Sequence, residues 1–176
     1  DVITPFTKAG YELIEDRDTL LKSKSDKVLG LFSGIYIPFE VDRLNSPELI
    51  KKVPTLAEMS EVAMKNLLGH PEKFLLQIEG GRIDHAGHEF DAAGVVAETL
   101  RFDEAVQVVL DWAEQHPDTL VLLTADHATG GLALNDFARW DALSQRTASV
   151  SWLASQIRNA GVPVVVNLWA ESCRPC

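Results

Sequence analysis

Two short stretches of this 176-residue chain gather carboxylates and imidazoles at spacings that suit metal binding. In the first, Glu79, Asp84, His85 and His88 stand within ten residues, around Gly80 and Gly81. In the second, Asp126-His127 closely follows an apolar run. Asp84 and His88 are four apart, so one helical turn places both on the same face. That pairing suits two ligands of one zinc ion, whose bonds to imidazole nitrogen and carboxylate oxygen run about 2.0–2.2 Å. Glu79, across the glycines, suits a harder, oxygen-preferring cation such as magnesium, and the glycines let the backbone turn sharply between the ligand sets. Each group also has a plainer account. Asp84 and His88 can be an exposed helix-terminal pair, Asp126 a helix N-cap, His127 a surface histidine and Glu79 a solvated strand-end charge. These accounts must all hold together for the clusters to be incidental, which weakens them. His70 and His116 lie beside Pro71 and Pro117 in loop positions and carry no assigned role.

The elements that must deliver these groups are legible as apolar runs. Residues 74–78 (Phe-Leu-Leu-Gln-Ile) read as a strand ending at Glu79-Gly80-Gly81, and 120–123 (Leu-Val-Leu-Leu) as a strand ending in Thr124-Ala125-Asp126-His127. In open α/β sheets, ligands bind beyond the carboxyl ends of strands, where both clusters fall. Upstream, residues 11–14 and 28–32 are strand candidates separated by a short helix over 18–24. The stretch 35–54 holds Pro38, Pro47 and Pro54 with several charges, and reads as a long irregular loop. Thr55-Leu56-Ala57-Glu58 is a capping box, after which Leu56, Met59, Ala63 and Leu67 follow helical spacing to a stop at Gly69. A long helix spans 92–115, with Val95, Val96, Leu100, Val106, Val109 and Leu110 on one side. A further helix over 148–159 and a strand over 162–166 complete the pattern. Strands apolar on both faces, alternating with helices, indicate an α/β fold: part of a three-layer sandwich with a mostly parallel sheet and helices on both faces.

The chain is long enough for one sizeable core. Its net charge of -10 argues against nucleic acid or an anionic membrane surface as partner. Bound divalent cations would still allow an anionic substrate. No apolar run approaches the roughly 18 residues of a membrane span. Residues 1–5 have neither the basic end nor the apolar stretch of a signal peptide, as is equally true of a mature or internal fragment. Cys173 and Cys176 form Cys-Arg-Pro-Cys, which reads as a local disulfide or an incidental tail rather than a redox motif, since no strand-then-helix context surrounds it.

Residues 74–88 (Phe-Leu-Leu-Gln-Ile-Glu-Gly-Gly-Arg-Ile-Asp-His-Ala-Gly-His) closely resemble the metal signature of the alkaline phosphatase family. Residues 119–127 (Thr-Leu-Val-Leu-Leu-Thr-Ala-Asp-His), followed by Ala-Thr-Gly-Gly-Leu, resemble its second metal strand. Supporting matches lie at 29–33, 38–43, 55–59 and 98–106. The resemblance covers roughly residues 10–134 and loosens beyond. Residues 1–134 therefore read as a portion of the family's α/β core, and 135–176 as the start of a variable insertion or crown-like region. The resemblance implies hydrolysis of phosphate monoesters through a phosphoserine, with two Zn2+ ions and one Mg2+. Asp84 and His88 are then ligands of the first zinc, Asp126 and His127 of the second, and Glu79 of the magnesium. His85 falls where the family places a residue close to the phosphate. Two zinc ions about 3.5–4 Å apart can clamp the attacking and leaving oxygens of an in-line displacement. A homodimer, periplasmic or extracellular, is also implied.

The departures bear on activity. Ser33 and Ser60 lack the Asp-Ser-Ala context of the family's nucleophile, and no histidine follows His127 to supply the last ligand of the first zinc. The chain is expected to be truncated, to furnish metal ligands only, and to be inactive by itself. Two other readings stand beside this one. A phosphodiesterase or mutase of the wider superfamily is disfavoured by the Glu-Gly-Gly-Arg-Ile-Asp-His run. A non-catalytic metal-binding fragment would differ in mechanism altogether.

Overall fold

The structure is a computed structural model that describes residues 2–68 and 73–130. Helix α1 (Ile3–Lys8) opens the chain, and strand β1 (Glu12–Ile14) follows it. Helix α2 (Arg17–Lys22) then crosses to strand β2 (Val28–Gly30). Asp16 caps α2, its Oδ1 accepting from the Thr19 amide at 2.8 Å, which satisfies one of the free donors at a helix start. The strands pair in parallel, with Glu12, Leu13 and Ile14 opposite Val28, Leu29 and Gly30, so residues 12–30 form a β-α-β unit. The class is α/β, and among the described residues the paired sheet is this two-stranded one.

Residues 35–54 depart from the expected loop. Helices α3 (Glu40–Leu44) and α4 (Pro47–Lys52) occupy much of that stretch. Pro47 is a first-turn residue of α4, where its missing N–H costs nothing, and Ser46 caps the helix by accepting from the Leu49 amide at 3.3 Å. Proline here starts a helix instead of breaking one. The capping box stands as read. The Glu58 amide donates to Thr55 Oγ1 at 3.1 Å, and Glu58 Oε2 accepts from the Thr55 amide at 2.9 Å. It opens α5 (Leu56–Leu68). Arg17 also donates to both oxygens of Glu58, tying α2 to this helix start.

Two expected strands, 74–78 and 120–123, join no strand ladder. Burial over 74–78 nonetheless has strand character. Phe74, Leu76 and Ile78 turn inward while Leu75, Gln77 and Glu79 are exposed, the two-residue period of a pleated chain. Pairing requires a neighbour at the right distance, which apolar content does not supply. Ile78 and Val109 are buried with Met64 in one core cluster, against which Leu76, Trp112 and Val121 pack. Ile14, Leu20, Phe32, Val53 and Val62 form a second cluster under the β-α-β unit. The expected elements at 148–166, the boundary near residue 134, and Cys173 and Cys176 lie outside the described residues.

Two further helices carry the rest. Helix α6 (Gly81–His88) and helix α7 (Ala92–Gln115) are joined by a tight turn. In it the amides of Phe90 and Asp91 donate back to the carbonyls of Gly87 and Ala86, each at 3.0 Å. Phe90 adopts φ 56, a left-handed conformation that favours glycine at a helix end, and it is 81% exposed. With little packing to lose, Phe90→Gly should stabilise the chain by about 0.5–1 kcal/mol, the relief of left-handed strain less the added entropy of an unfolded glycine. A urea midpoint that rises at unchanged slope would show it; a lower midpoint would mean the ring contributes packing after all.

Candidate metal centre

Helix α6 begins where Gly80 accepts from the Ile83 amide at 3.0 Å. Asp84 sits in its first turn, His85 and His88 in its last. Ala86 is fully buried and, two residues on from Asp84, lies on the opposite side of the helix, so its packing turns Asp84 toward the other side. The second donor pair arrives on residues 120–129, which run from buried Leu120 to the exposed Asp126 and His127. This segment returns onto α6 at one close contact. A Cβ on Gly87 would meet the Thr129 carbonyl at 3.0 Å, and one on Gly130 would stand 2.2 Å from the Gly87 oxygen. Gly130 also has φ +73, so both space and backbone demand glycine there.

A cleft of about 530 Å³ lies between the two segments. Glu79, Asp84, Asp126, His127 and Thr129 line it on one side, and Ile83, Val95, Phe102 and Leu123 form an apolar wall. His127 Nε2 is 3.2 Å from Asp126 Oδ2; His88 is not among the residues that line the cleft, but its Nε2 is 3.5 Å from Asp84 Oδ2. Glu79 meets the like charges of Asp126 and Asp84. Desolvation first, then those two carboxylates, raise its pKa above the ordinary carboxylate value.

His85 turns away from the cleft. Its ring lies 4.4 Å from that of Tyr36, and Arg82 donates to its Nδ1 at 2.9 Å, because a guanidinium has no acceptor. Burial and the Arg82 charge lower its pKa below the ordinary imidazole value. The Arg82 guanidinium in turn lies 3.5 Å from the centre of the Phe39 ring, and its buried Nε has no hydrogen-bond partner among the described residues.

The donor spacings suit metal ions in part. Two ligands of a tetrahedral zinc, each bonded at about 2.0–2.2 Å, stand about 3.3–3.6 Å apart. The separations of 3.5 Å in Asp84–His88 and 3.2 Å in Asp126–His127 are close to that edge. Among the described residues no three His, Cys, Asp or Glu groups converge on one ion, so each position offers a pair and not a closed shell. Thr129 was not singled out from the sequence. Its hydroxyl lies 2.6 Å from Asp84 Oδ1 and 2.8 Å from His127 Nδ1, joining the two pairs. Its place two residues past Asp126-His127 was visible, but a threonine is no strong metal ligand and carries no signal by type.

The sequence matches the alkaline phosphatase family over residues 1–169. It is 39% identical over 134 residues to alkaline phosphatase 3 of Bacillus subtilis, covering 76% of this chain and 28% of that protein. It is 42% identical over 146 residues to the repressible alkaline phosphatase of Saccharomyces cerevisiae, covering 75% and 25%. The fold superposes on the crystal structure of Thermus thermophilus alkaline phosphatase with a TM-score of 0.67 at 35% identity, over 73% of this chain and 27% of that one. The chain thus spans about a quarter of the length of these relatives. With a family match along nearly its whole length and α/β structure shared with a solved relative, this chain belongs to the alkaline phosphatase family.

Proposed function

We propose that this chain supplies the metal ligands of a phosphomonoesterase that hydrolyses phosphate esters through a phosphoserine. The observation that carries the reading is the convergence of Glu79, Asp84, Asp126 and His127 on one cleft. Three carboxylates brought together in a partly desolvated cleft repel one another, and a divalent cation is the natural remedy. Asp84 and His88 would hold one Zn2+, Asp126 and His127 a second, and Glu79 with its hard oxygens one Mg2+. When bound, such ions neutralise phosphoryl charge and stabilise the attacking and leaving oxygens.

The remaining chemistry of the chain is positional. Arg82 holds His85 by Nδ1, which fixes the ring against Tyr36 and outside the cleft. Ile83 and Phe102 line the cleft as its apolar part. The serine nucleophile is not among these 176 residues in a recognisable context, so the covalent step is assigned to another part of the enzyme. The homodimeric state and periplasmic or extracellular location belong to the same reading, as do residues 1–134 as a core portion and 135–176 as the start of an insertion. A phosphodiesterase, a mutase or a purely metal-binding role has no observation in its favour.

Zinc titration of the chain tests the ligand assignment. Two equivalents should bind, one should be lost in a variant with Asp84→Ala and His88→Ala, and the other in one with Asp126→Ala and His127→Ala. Loss of both from either variant, or none, contradicts the pairing. With zinc and magnesium present, the chain alone should give no turnover of p-nitrophenyl phosphate above background; turnover at rates normal for the relatives would show that the nucleophile is here.

Glu79 gives a pH-dependent check. Its folded pKa lies above its unfolded value, so the stability that its protonated form contributes is fully present below about pH 4.3 and is lost as pH rises through the elevated value. In chelator, Glu79→Gln should match wild type near pH 4 and melt higher at neutral pH, and added magnesium should favour wild type. A melting difference that is constant with pH would remove Glu79 from the charge cluster.

A further inference from the structure

Helix α7 carries apolar residues on two sides. Gly94, Ala105 and Val109 are buried on its inner side. Val96 and Leu100, which the sequence pattern places with Val109, are instead 54% and 58% exposed. At about 100° per residue they lie well round the helix from Val109. A helix that is apolar all round is ordinarily covered all round, yet this outer face is bare among the described residues, with Ala92 and Ala93 exposed beside it. Beyond Leu100 the same face turns acidic. Asp103 follows Val96 by seven residues, Asp111 follows Leu100 by eleven and Glu114 follows Val96 by eighteen, spacings that return to one side of a helix. All three are exposed. An apolar start that runs into a row of carboxylates calls for a partner with an apolar stripe and positive charge.

A segment of that chemistry lies in the same chain. Residues 148–159 read as a helix, with Val150, Leu153, Ala154 and Ile157 at the spacing of a single stripe. Although the chain has a net charge of -10, the only charged residues between Asp141 and Glu171 are Arg146 and Arg158. The tether also reaches. Gly130, the last described residue, meets the backbone of Gly87, and the neighbouring Ala86 lies against Gly94 of α7. About 17 residues then lead to Ala148 and can span up to about 60 Å, against roughly 36 Å for the whole of α7. A second copy of the outer face fits worse, because a two-fold contact would set its carboxylates against their own counterparts.

We infer that residues 148–159 dock as a helix across Val96 and Leu100, with Arg146 and Arg158 flanking the stripe toward the carboxylates of α7. The contact is intramolecular and stands apart from the metal-ligand reading, since it needs neither zinc nor a phosphate ester.

Hydrogen exchange of the metal-free 176-residue chain, read by mass spectrometry on peptides covering 148–159, tests the docking. Exchange should be slow in wild type and in Leu100→Met, which keeps the apolar volume. It should be about tenfold or more faster when Val96→Lys and Leu100→Lys are combined, as the segment opens locally. Ile157→Lys alters the other partner and should give the same acceleration; it decides the matter if the α7 variant fails to fold. Exchange of 148–159 at the rate of an unstructured peptide in wild type overturns the inference. Protection that is unchanged in both lysine variants overturns it equally, because the segment would then be seated elsewhere. Protection that grows with protein concentration would assign the segment to a second copy and overturn the intramolecular contact.

Discussion

Helix α6 lies so close to α7 that a Cβ on Gly94 would stand 3.1 Å from the Cβ of Ala86. Ala86 itself is fully buried. Directions of the donor groups on α6 follow from this seating. Successive helical residues point about 100° apart, so once Ala86 is fixed inward, Asp84 is aimed at the cleft and its neighbour His85 toward Tyr36. The joint between the helices is equally constrained. Asp91 donates its amide to the Ala86 carbonyl at 3.0 Å and accepts from the Ala93 amide through Oδ1 at 3.1 Å. One residue thus closes α6 and opens α7, leaving little freedom for the angle between them.

A buried charge network extends that order away from the cleft. Glu40 and Arg43 on α3 are 6% and 7% exposed, and Arg43 donates to both Glu40 oxygens at 2.8 and 3.0 Å. From α7, Arg101 approaches Glu40 within 3.1 Å, and Glu98 accepts from the Glu40 amide at 2.6 Å. Burial of ions is costly and seldom a source of stability. Here its consequence is geometric. With α3 held to α7 by charges at fixed places, Phe39 at its start lies beneath the Arg82 guanidinium, which in turn holds His85. Burial, the leading cause, and the nearby Glu40 charge raise the Glu98 pKa, although the Glu40 amide works in the opposite direction.

How legible a residue is from sequence depends on whether its neighbours in space are also neighbours in the chain. The capping box at Thr55 and Glu58 and the helix over 92–115 depend on contacts within a few residues, and both stand where the pattern puts them. The helices inside 35–54 were hidden because proline has opposite meanings at the first turn and in the interior of a helix. Residues 74–78 keep the alternating burial of a strand, but ladder formation depends on a distant partner that apolar character cannot reveal. The cleft shows the same division. Asp84, His88, Asp126 and His127 announce themselves by type and spacing, whereas Thr129 matters only because its backbone comes back onto α6.

The contact between Gly87 and Gly130 has a mechanical consequence. Most packing contacts yield through rotation of a side chain, but here the surfaces that meet are main chain, with no torsion to absorb a displacement. A movement of the 126–130 loop toward α6 must push the helix with it, so over that contact the donor pairs shift as one body. Stiffness of this kind adds a main-chain stop to the hydrogen bond by which Thr129 ties the loop to Asp84. A methyl group at residue 130 is the smallest change that would wedge the segments apart, and it would do so while leaving every donor atom chemically intact.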